Sequence, residues 1–359
     1  MQWKLSEEQE AYREALRGWL GGVAGPERIR EWLDADDGRG DPSVFERRLV
    51  ADGMAGVGFP EELGGQGGGL VELALTAEEL AHAGAPSAAW LATVLAVPAL
   101  EDRPDLVKPA VGGAPVALLL SAEEVPTASA RLTMDDRGRV TGDLPRVLGA
   151  DRAALLLAVV QTHDGLEIRA IDADADGVTV SPRRLLDRSR SVADVRLEAA
   201  ASAPIEADAE ACLSRVADIA GVLVAADALG AMERVLDLAV EYSLQRRQFG
   251  VPIGSFQAVK HAAASILVDV EAGRSGIYFA AASIEARGED CSLHAAAVKA
   301  QVTAAASRAA DTALTMHGAI GYTWEHNLHL HYKRARLDEH LFGSPAAWND
   351  RLADGLALH

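Results

Sequence analysis

The period of the apolar residues changes twice along this chain, and that change limits the fold more than any other feature. After Glu206, the residues Leu213, Val216, Ala220, Leu223, Ala226, Leu229, Leu236 and Val240 trace one stripe of a long helix. Between about residues 112 and 205 the runs shorten. Residues 116–120, 153–159, 166–171 and 178–180 are short apolar or alternating stretches, separated by turns such as Asp135-Asp136-Arg137-Gly138 and Asp174-Ala175-Asp176-Gly177. Such punctuation predicts a small antiparallel β domain. Residues 1 to about 110 read as helical again. Ser6 and Gln9 stand in capping-box spacing. Ser43 with Glu46 marks another start, and the helical spacing from Leu70 to Ala83 stops at Gly84. A further helix runs from Ser87 to about Val97 and ends at Pro98.

The expected class is therefore mostly α with a small β domain. An N-terminal helical domain (1–110) precedes a middle antiparallel β domain (111–205) and a C-terminal four-helix bundle (206–359). Within the bundle, Ser255 is expected to cap the second helix, which stops at Gly288. Ser292 to Met316 forms the third, and Thr323 caps a fourth that ends near Gly343-Ser344-Pro345.

Charge excludes some functions. The chain carries 53 acids against 34 bases, a net charge of −19. Nucleic acids and anionic membranes need clustered cations, so neither is an expected partner. Cys212 and Cys291 lie far apart and form no C-x-x-C pattern, which argues against a disulfide framework. The N-terminus has no apolar signal core, and no apolar run approaches the roughly 18 residues of a membrane span. The expected location is the cytoplasm.

The chemistry concentrates at Arg246-Arg247-Gln248-Phe249-Gly250, followed by Pro252-Ile253 and Phe256-Gln257. This stretch joins two helices across a tight turn. A fixed cation, an amide and an aromatic there suit an anionic, planar ligand: arginine pairs with phosphate oxygens, glutamine donates hydrogen bonds and phenylalanine lies against a flat face. Further on, Gly318 and Gly321 bracket a second tight turn where backbone N–H groups can approach a phosphate or ribose. The run Gly64-Gly65-Gln66-Gly67-Gly68-Gly69 follows no clear strand and reads as a turn rather than a phosphate cradle. His317, His326, His329, His331 and His340 are conspicuous. His329 and His331 diverge by about 200° on a helix, so no convergent metal site is expected.

Residues 242–261, Y-S-L-Q-R-R-Q-F-G-V-P-I-G-S-F-Q-A-V-K-H, closely resemble the flavin-binding segment of acyl-CoA dehydrogenases. Residues 317–325, H-G-A-I-G-Y-T-W-E, resemble that family's second C-terminal signature at similar spacing. The resemblance implies FAD as cofactor, held at its adenosine and pyrophosphate end by Arg246, Gln248, Phe249, Gln257, Thr315, Gly318 and Gly321. Because the flavin lies largely in a neighbouring subunit, it also implies an oligomer. The family removes a proton α to an acyl-CoA thioester while hydride leaves the β carbon for flavin, and an electron-transfer acceptor then reoxidises the flavin.

Several positions depart from the family pattern. Ala319 replaces a usual glycine, and Thr315 stands where glutamine is common. The glutamate that serves many members as base is matched by Phe342, and the alternative position by Ala220. Asp218 and Glu339 are nearby but unaligned, and are expected on helix surfaces; no catalytic residue is assigned. In the middle domain, Ser121-Ala122-Glu123-Glu124-Val125-Pro126 lacks the family's glycine turn, and Arg146-Val147-Leu148 replaces a Trp-x-Thr segment that covers the flavin ring. The losses fall on the isoalloxazine side and at the base. This pattern resembles the base-lacking subunit of heterotetrameric (α2β2) acyl-CoA dehydrogenases of actinobacterial steroid side-chain degradation. The expected partner is then a homologous subunit. A self-sufficient homotetramer with a relocated base, and a scaffold that has lost FAD, are the alternatives.

Overall fold

The computed structural model describes residues 4–38, 41–163 and 165–356. Six helices open the chain: α1 (Glu7–Val23), α2 (Pro26–Gly38), α3 (Ser43–Ala51), α4 (Leu70–Ala83), α5 (Ala88–Ala96) and α6 (Pro104–Val111). Eight strands follow: β1 (Val116–Leu118), β2 (Leu132–Met134), β3 (Arg139–Leu148), β4 (Leu155–Thr162), β5 (Gly165–Asp172), β6 (Val178–Arg183), β7 (Val192–Ala201) and β8 (Ala203–Ile205). After α7 (Ala209–Gln245) come two short strands, β9 (Arg247–Gln248) and β10 (Val251–Pro252). Four helices close the fold: α8 (Gln257–Glu285), α9 (Cys291–His317), α10 (Leu328–His340) and α11 (Pro345–Gly355). The order helical, β, helical is as expected. No helix among the described residues is long and apolar enough to cross a membrane.

The chain groups into two compact units. One contains the chain up to Arg30, Leu70–Ala85 and everything from Gly221 onward. Its first helix starts as the capping box dictates: the Gln9 N–H donates to Ser6 Oγ (3.2 Å) and the Ser6 N–H to Gln9 Oε1 (3.0 Å). The α4 helix is buried along most of its length, acids included. Arg17 of α1 binds Glu79 through two hydrogen bonds (2.7 and 2.9 Å). Arg274 and Tyr278 of α8 do the same for the fully buried Glu78 (Arg274 Nη2 at 3.1 Å). Such pairing is what makes burial of a carboxylate tolerable. The α7 helix crosses α4 at Gly230, where a Cβ would stand 2.0 Å from the Glu78 carbonyl oxygen. Only glycine permits that approach. Arg334 of α10 forks onto buried Asp227 of α7 (2.6 and 2.7 Å) and donates to the Ala85 carbonyl (2.6 Å).

The other unit spans Glu31–Gly69 and Pro86–Ala220. Its sheet runs β6-β7-β3-β2-β4-β5-β8, with β1 beside β4. Most pairings are antiparallel, but β4 also receives β1 and β2 in parallel, which the sequence reading did not anticipate. That reading also missed β3 and β7, the two ten-residue strands. Their register slips between Leu144 and Val147, and Pro145 and Arg146 fall in this bulge. A bulge accommodates a proline that has no N–H for the ladder, and it breaks the alternation that marks a strand in sequence.

Two expected caps are corrected. The Ser255 hydroxyl donates back to the Pro252 carbonyl (2.7 Å), and Thr323 does so to Ile320 (2.8 Å). Each closes a 3-10 turn instead of opening a helix, so α8 begins at Gln257 and α10 only at Leu328. The C-terminal region therefore has three long helices and two short ones, α11 being capped by Ser344.

Candidate cofactor-binding site

The end of α7 turns into a two-residue hairpin. Val251 pairs with Gln248 and Pro252 with Arg247, and the loop residues Phe249 and Gly250 both have positive φ (51° and 82°). That is a type I′ turn, which glycine and asparagine favour. Phenylalanine in the left-handed region is an unfavourable choice. Its ring is 91% exposed, touching Phe256 edge-on at 6.2 Å. An apolar ring is thus held outward at a strained position.

Arg246, Gln248 and Gln257 are exposed alongside it. Among the described residues the Arg246 guanidinium has no ion-pair or hydrogen-bond partner. Gln257 opens α8, whose N-cap residue Phe256 supplies no side-chain acceptor. The first N–H groups of a 29-residue helix therefore remain available for an anion.

The second motif comes to the same place. Tyr242, one turn before Arg246, stacks on His317 (centroids 4.7 Å apart, planes at 20°), and His326 meets the His317 ring edge-on at 4.5 Å. His317 donates from Nδ1 to the Ala313 carbonyl (2.7 Å). Burial lowers its pKa and that of His326, disfavouring the charged form of each ring. Gly318 follows with φ 63° and open space where a Cβ would be. Gly321 is different: a Cβ there would stand 2.9 Å from Leu314 Cδ1, so its smallness serves internal packing. Thr315 is exposed, but its hydroxyl donates to Asp311 (2.9 Å) and leaves only acceptor capacity outward. Arg30 fixes the following loop through Trp324 O (2.5 Å), Glu325 O (2.9 Å) and Asn327 Oδ1 (2.9 Å). The sequence reading missed Tyr242, Arg30 and the His317–His326 contact. No local spacing signals them, because each depends on residues brought together by the fold.

The segments expected near a flavin ring also meet, within the other unit. The Ala122 N–H donates to the Arg146 carbonyl (2.9 Å), and Arg146 pairs with Glu123 (2.5 Å). Val147 and Leu148 are buried core residues. An ion pair thus occupies the segments where the family has a glycine turn and an aromatic cover.

Phe342 is buried, with φ 55°. Trp348 Nε1 donates to its carbonyl (2.8 Å), and Lys299 Nζ donates to the carbonyls of Asp338 (2.9 Å) and Gly343 (3.2 Å). Ala220 is buried as well. Asp218, expected on a helix surface, is buried. Glu339 accepts from Ser307 Oγ (2.8 Å) and pairs with Arg336 (3.4 Å). Among the described residues no group of three or more ligands could hold a metal ion.

This architecture has known counterparts. Residues 6–102 match the family profile described as acyl-CoA dehydrogenase, N-terminal domain, and residues 214–356 match acyl-CoA dehydrogenase, C-terminal domain. The chain belongs to the acyl-CoA dehydrogenase family, whose members are FAD-dependent oxidoreductases. It is 33% identical over 344 residues to acyl-CoA dehydrogenase IpdE2 of Mycobacterium tuberculosis, covering 94% of each chain. It is also 33% identical over 360 residues to acyl-CoA dehydrogenase FadE34 of that organism, covering 97% of this chain and 48% of FadE34. Among solved structures, a Tcur3481–Tcur3483 steroid ACAD is 26% identical, with TM-score 0.88 over 98% of both chains. The ChsE4–ChsE5 complex from Mycobacterium tuberculosis is 25% identical, with TM-score 0.88 over 100% of both.

Proposed function

We propose that this chain is one subunit of a FAD-dependent acyl-CoA dehydrogenase made of two homologous chain types in an α2β2 assembly. It contributes Arg246, Gln248, Phe249, Gln257, Thr315, Gly318 and Gly321 to the adenosine and pyrophosphate side of FAD held mainly by its partner. The reaction is α,β-dehydrogenation of an acyl-CoA thioester, with electrons passing on to an electron-transfer acceptor. Bound FAD would supply the hydride-accepting ring. This chain's own part is to grip the phosphates and orient the adenosine end.

One observation carries the reading. Arg246, Gln248 and Phe249 face outward on a strained hairpin, while Phe342 and Ala220 occupy both places where a base would stand. The residues present fit FAD: an uncommitted guanidinium, two amides, an uncapped helix N-terminus and an open glycine. Two similar structures are named as pairs of chains, which supports a homologous partner, and one is named for a steroid, which supports a polycyclic acyl group as substrate.

The test is flavin content. Purified alone, the chain should hold little FAD; purified with the homologous partner, it should hold one flavin for each pair of chains. Full yellow occupancy in the lone homo-oligomer would favour the self-sufficient enzyme. A colourless complex would favour a scaffold.

A further inference from the structure

Three aromatic rings join the two cofactor motifs. Tyr242 comes from the end of α7, His317 from the end of α9, and His326 from the loop that leads into α10. Tyr242 stacks on His317 at 4.7 Å, His326 meets His317 edge-on at 4.5 Å, and Tyr242 meets His326 edge-on at 6.3 Å. Each ring is therefore in contact range of the other two. Tyr242 lies one helical turn before Arg246, and His317 directly precedes Gly318. The three rings thus set the spacing between the hairpin after α7 and the glycine turn after α9.

The two imidazoles are held through their Nδ1 atoms in opposite senses. His317 donates from Nδ1 to the Ala313 carbonyl (2.7 Å), whereas His326 Nδ1 accepts the Leu328 N–H (3.2 Å). Leu328 is the first residue of α10, and the N-cap residue Asn327 makes no side-chain cap hydrogen bond. His326 therefore caps that helix. A protonated imidazole has N–H on both nitrogens and cannot accept, so charging His326 removes the cap. The groups facing it are His317 from α9, Glu241 and Tyr242 from α7, and Arg30 from α2. Burial is the largest influence against charge on this ring; His317 and Arg30 add to it, and Glu241 opposes it.

We propose that Tyr242, His317 and His326 are positioning residues for the cofactor: their rings hold Arg246 and Gly318 at one spacing, and His326 keeps its place through the Nδ1 lone pair. This role presupposes FAD on Arg246 and Gly318. Because the folded ring is harder to charge than a free imidazole, the cap is present above pH 6.5 and is lost as pH falls through the lower folded value. FAD should therefore loosen in acid. A histidine that touched the phosphates directly would do the reverse, since its charge would tighten FAD.

The test is FAD affinity of the assembled complex, measured by flavin fluorescence at pH 7.5 and pH 5. Loss of one hydrogen bond should weaken wild-type binding in acid by about 2- to 12-fold. His326→Asn keeps an acceptor oxygen for Leu328 but cannot titrate there. Whatever its affinity at pH 7.5, its acid loss should be markedly smaller than that of the wild type. At pH 7.5, Tyr242→Ala should weaken FAD by about 2- to 12-fold, and Tyr242→Phe, which keeps the stacked ring, should recover most of that loss. Melting temperatures would show which variants fold; if Tyr242→Ala does not, the pH profiles of wild type and His326→Asn decide. A wild-type affinity that is flat or tighter in acid, an undiminished acid loss in His326→Asn, or a folded Tyr242→Ala that binds FAD as the wild type does, in a complex that carries flavin, overturns this role alone. A colourless wild-type complex overturns the FAD reading and this role with it.

Discussion

Arg246 and Phe249 show how far single residues could be read. Their types and spacing suggest an anionic, planar ligand, because a cation, an amide and an aromatic at a helix junction suit one. The structure adds that Phe249 sits at φ 51° and that its ring is held outward, which no sequence pattern states. The Tyr242–His317 stack was illegible for a different reason: 75 positions separate its members, and only the packing of α7 on α9 joins them. A testable consequence belongs to Arg246. A hydrogen bond to a charged group contributes about 1.5–3 kcal/mol net, or roughly 10- to 150-fold in affinity. Arg246→Ala should weaken FAD in the assembled complex by that factor, measured by flavin fluorescence on dilution. Its thermal melt without flavin should not change, since the side chain is exposed. An unaltered flavin affinity would remove the phosphate role.

At the scale of elements, long helices were legible and short connections were not. The apolar stripe of α7 spans many turns and survives any local ambiguity. Ser255 and Thr323 looked like caps because a hydroxyl before a helical run usually is one; both hydroxyls instead bond back into 3-10 turns that backbone hydrogen bonds also close. The β3 and β7 strands were hidden by Pro145, by interspersed charges and by bulges that interrupt their alternation. The link between α9 and α10–α11 offers a test of an element junction. Burial draws the Lys299 ammonium down to about 7 from an ordinary 10.5, while Asp338 and Glu339 oppose the shift. Between those values the unfolded chain binds more protons than the folded one, so this group makes stability rise with pH across that window. Lys299→Met keeps an apolar stem but has no proton to lose. Urea unfolding at pH 7 and pH 9 should show the wild type gaining about 2 kcal/mol relative to the variant. Equal gains in both would mean that Lys299 is charged throughout and that its burial costs less than the geometry suggests.

At the scale of the whole molecule, the order of helix, sheet and helix was readable because the hydrophobic period changes twice along the chain. That this chain lacks a base remains a proposal, resting on the resemblance that matches Phe342 and Ala220, neither able to take a proton, to the places of the family's glutamate. Phe342 and Ala220 are buried, and Lys299 and Trp348 hold the Phe342 turn through its backbone carbonyls. Asp218 and Glu339 remain the nearby carboxylates to test. Glu339 already accepts from Ser307 and pairs with Arg336, which commits it to the α9–α10 contact. General-base catalysis typically contributes roughly 10²–10⁴-fold. If the partner supplies the base, Asp218→Asn and Glu339→Gln, each in the assembled complex, should leave the chemical step within a few-fold of wild type. Anaerobic flavin bleaching after mixing with an acyl-CoA isolates that step from reoxidation. A loss of about 10²-fold or more in either variant, with FAD still bound, would place the base in this chain. If the partner supplies the base, removing that base should slow bleaching by about 10²–10⁴-fold, the converse of the result expected for the carboxylates of this chain.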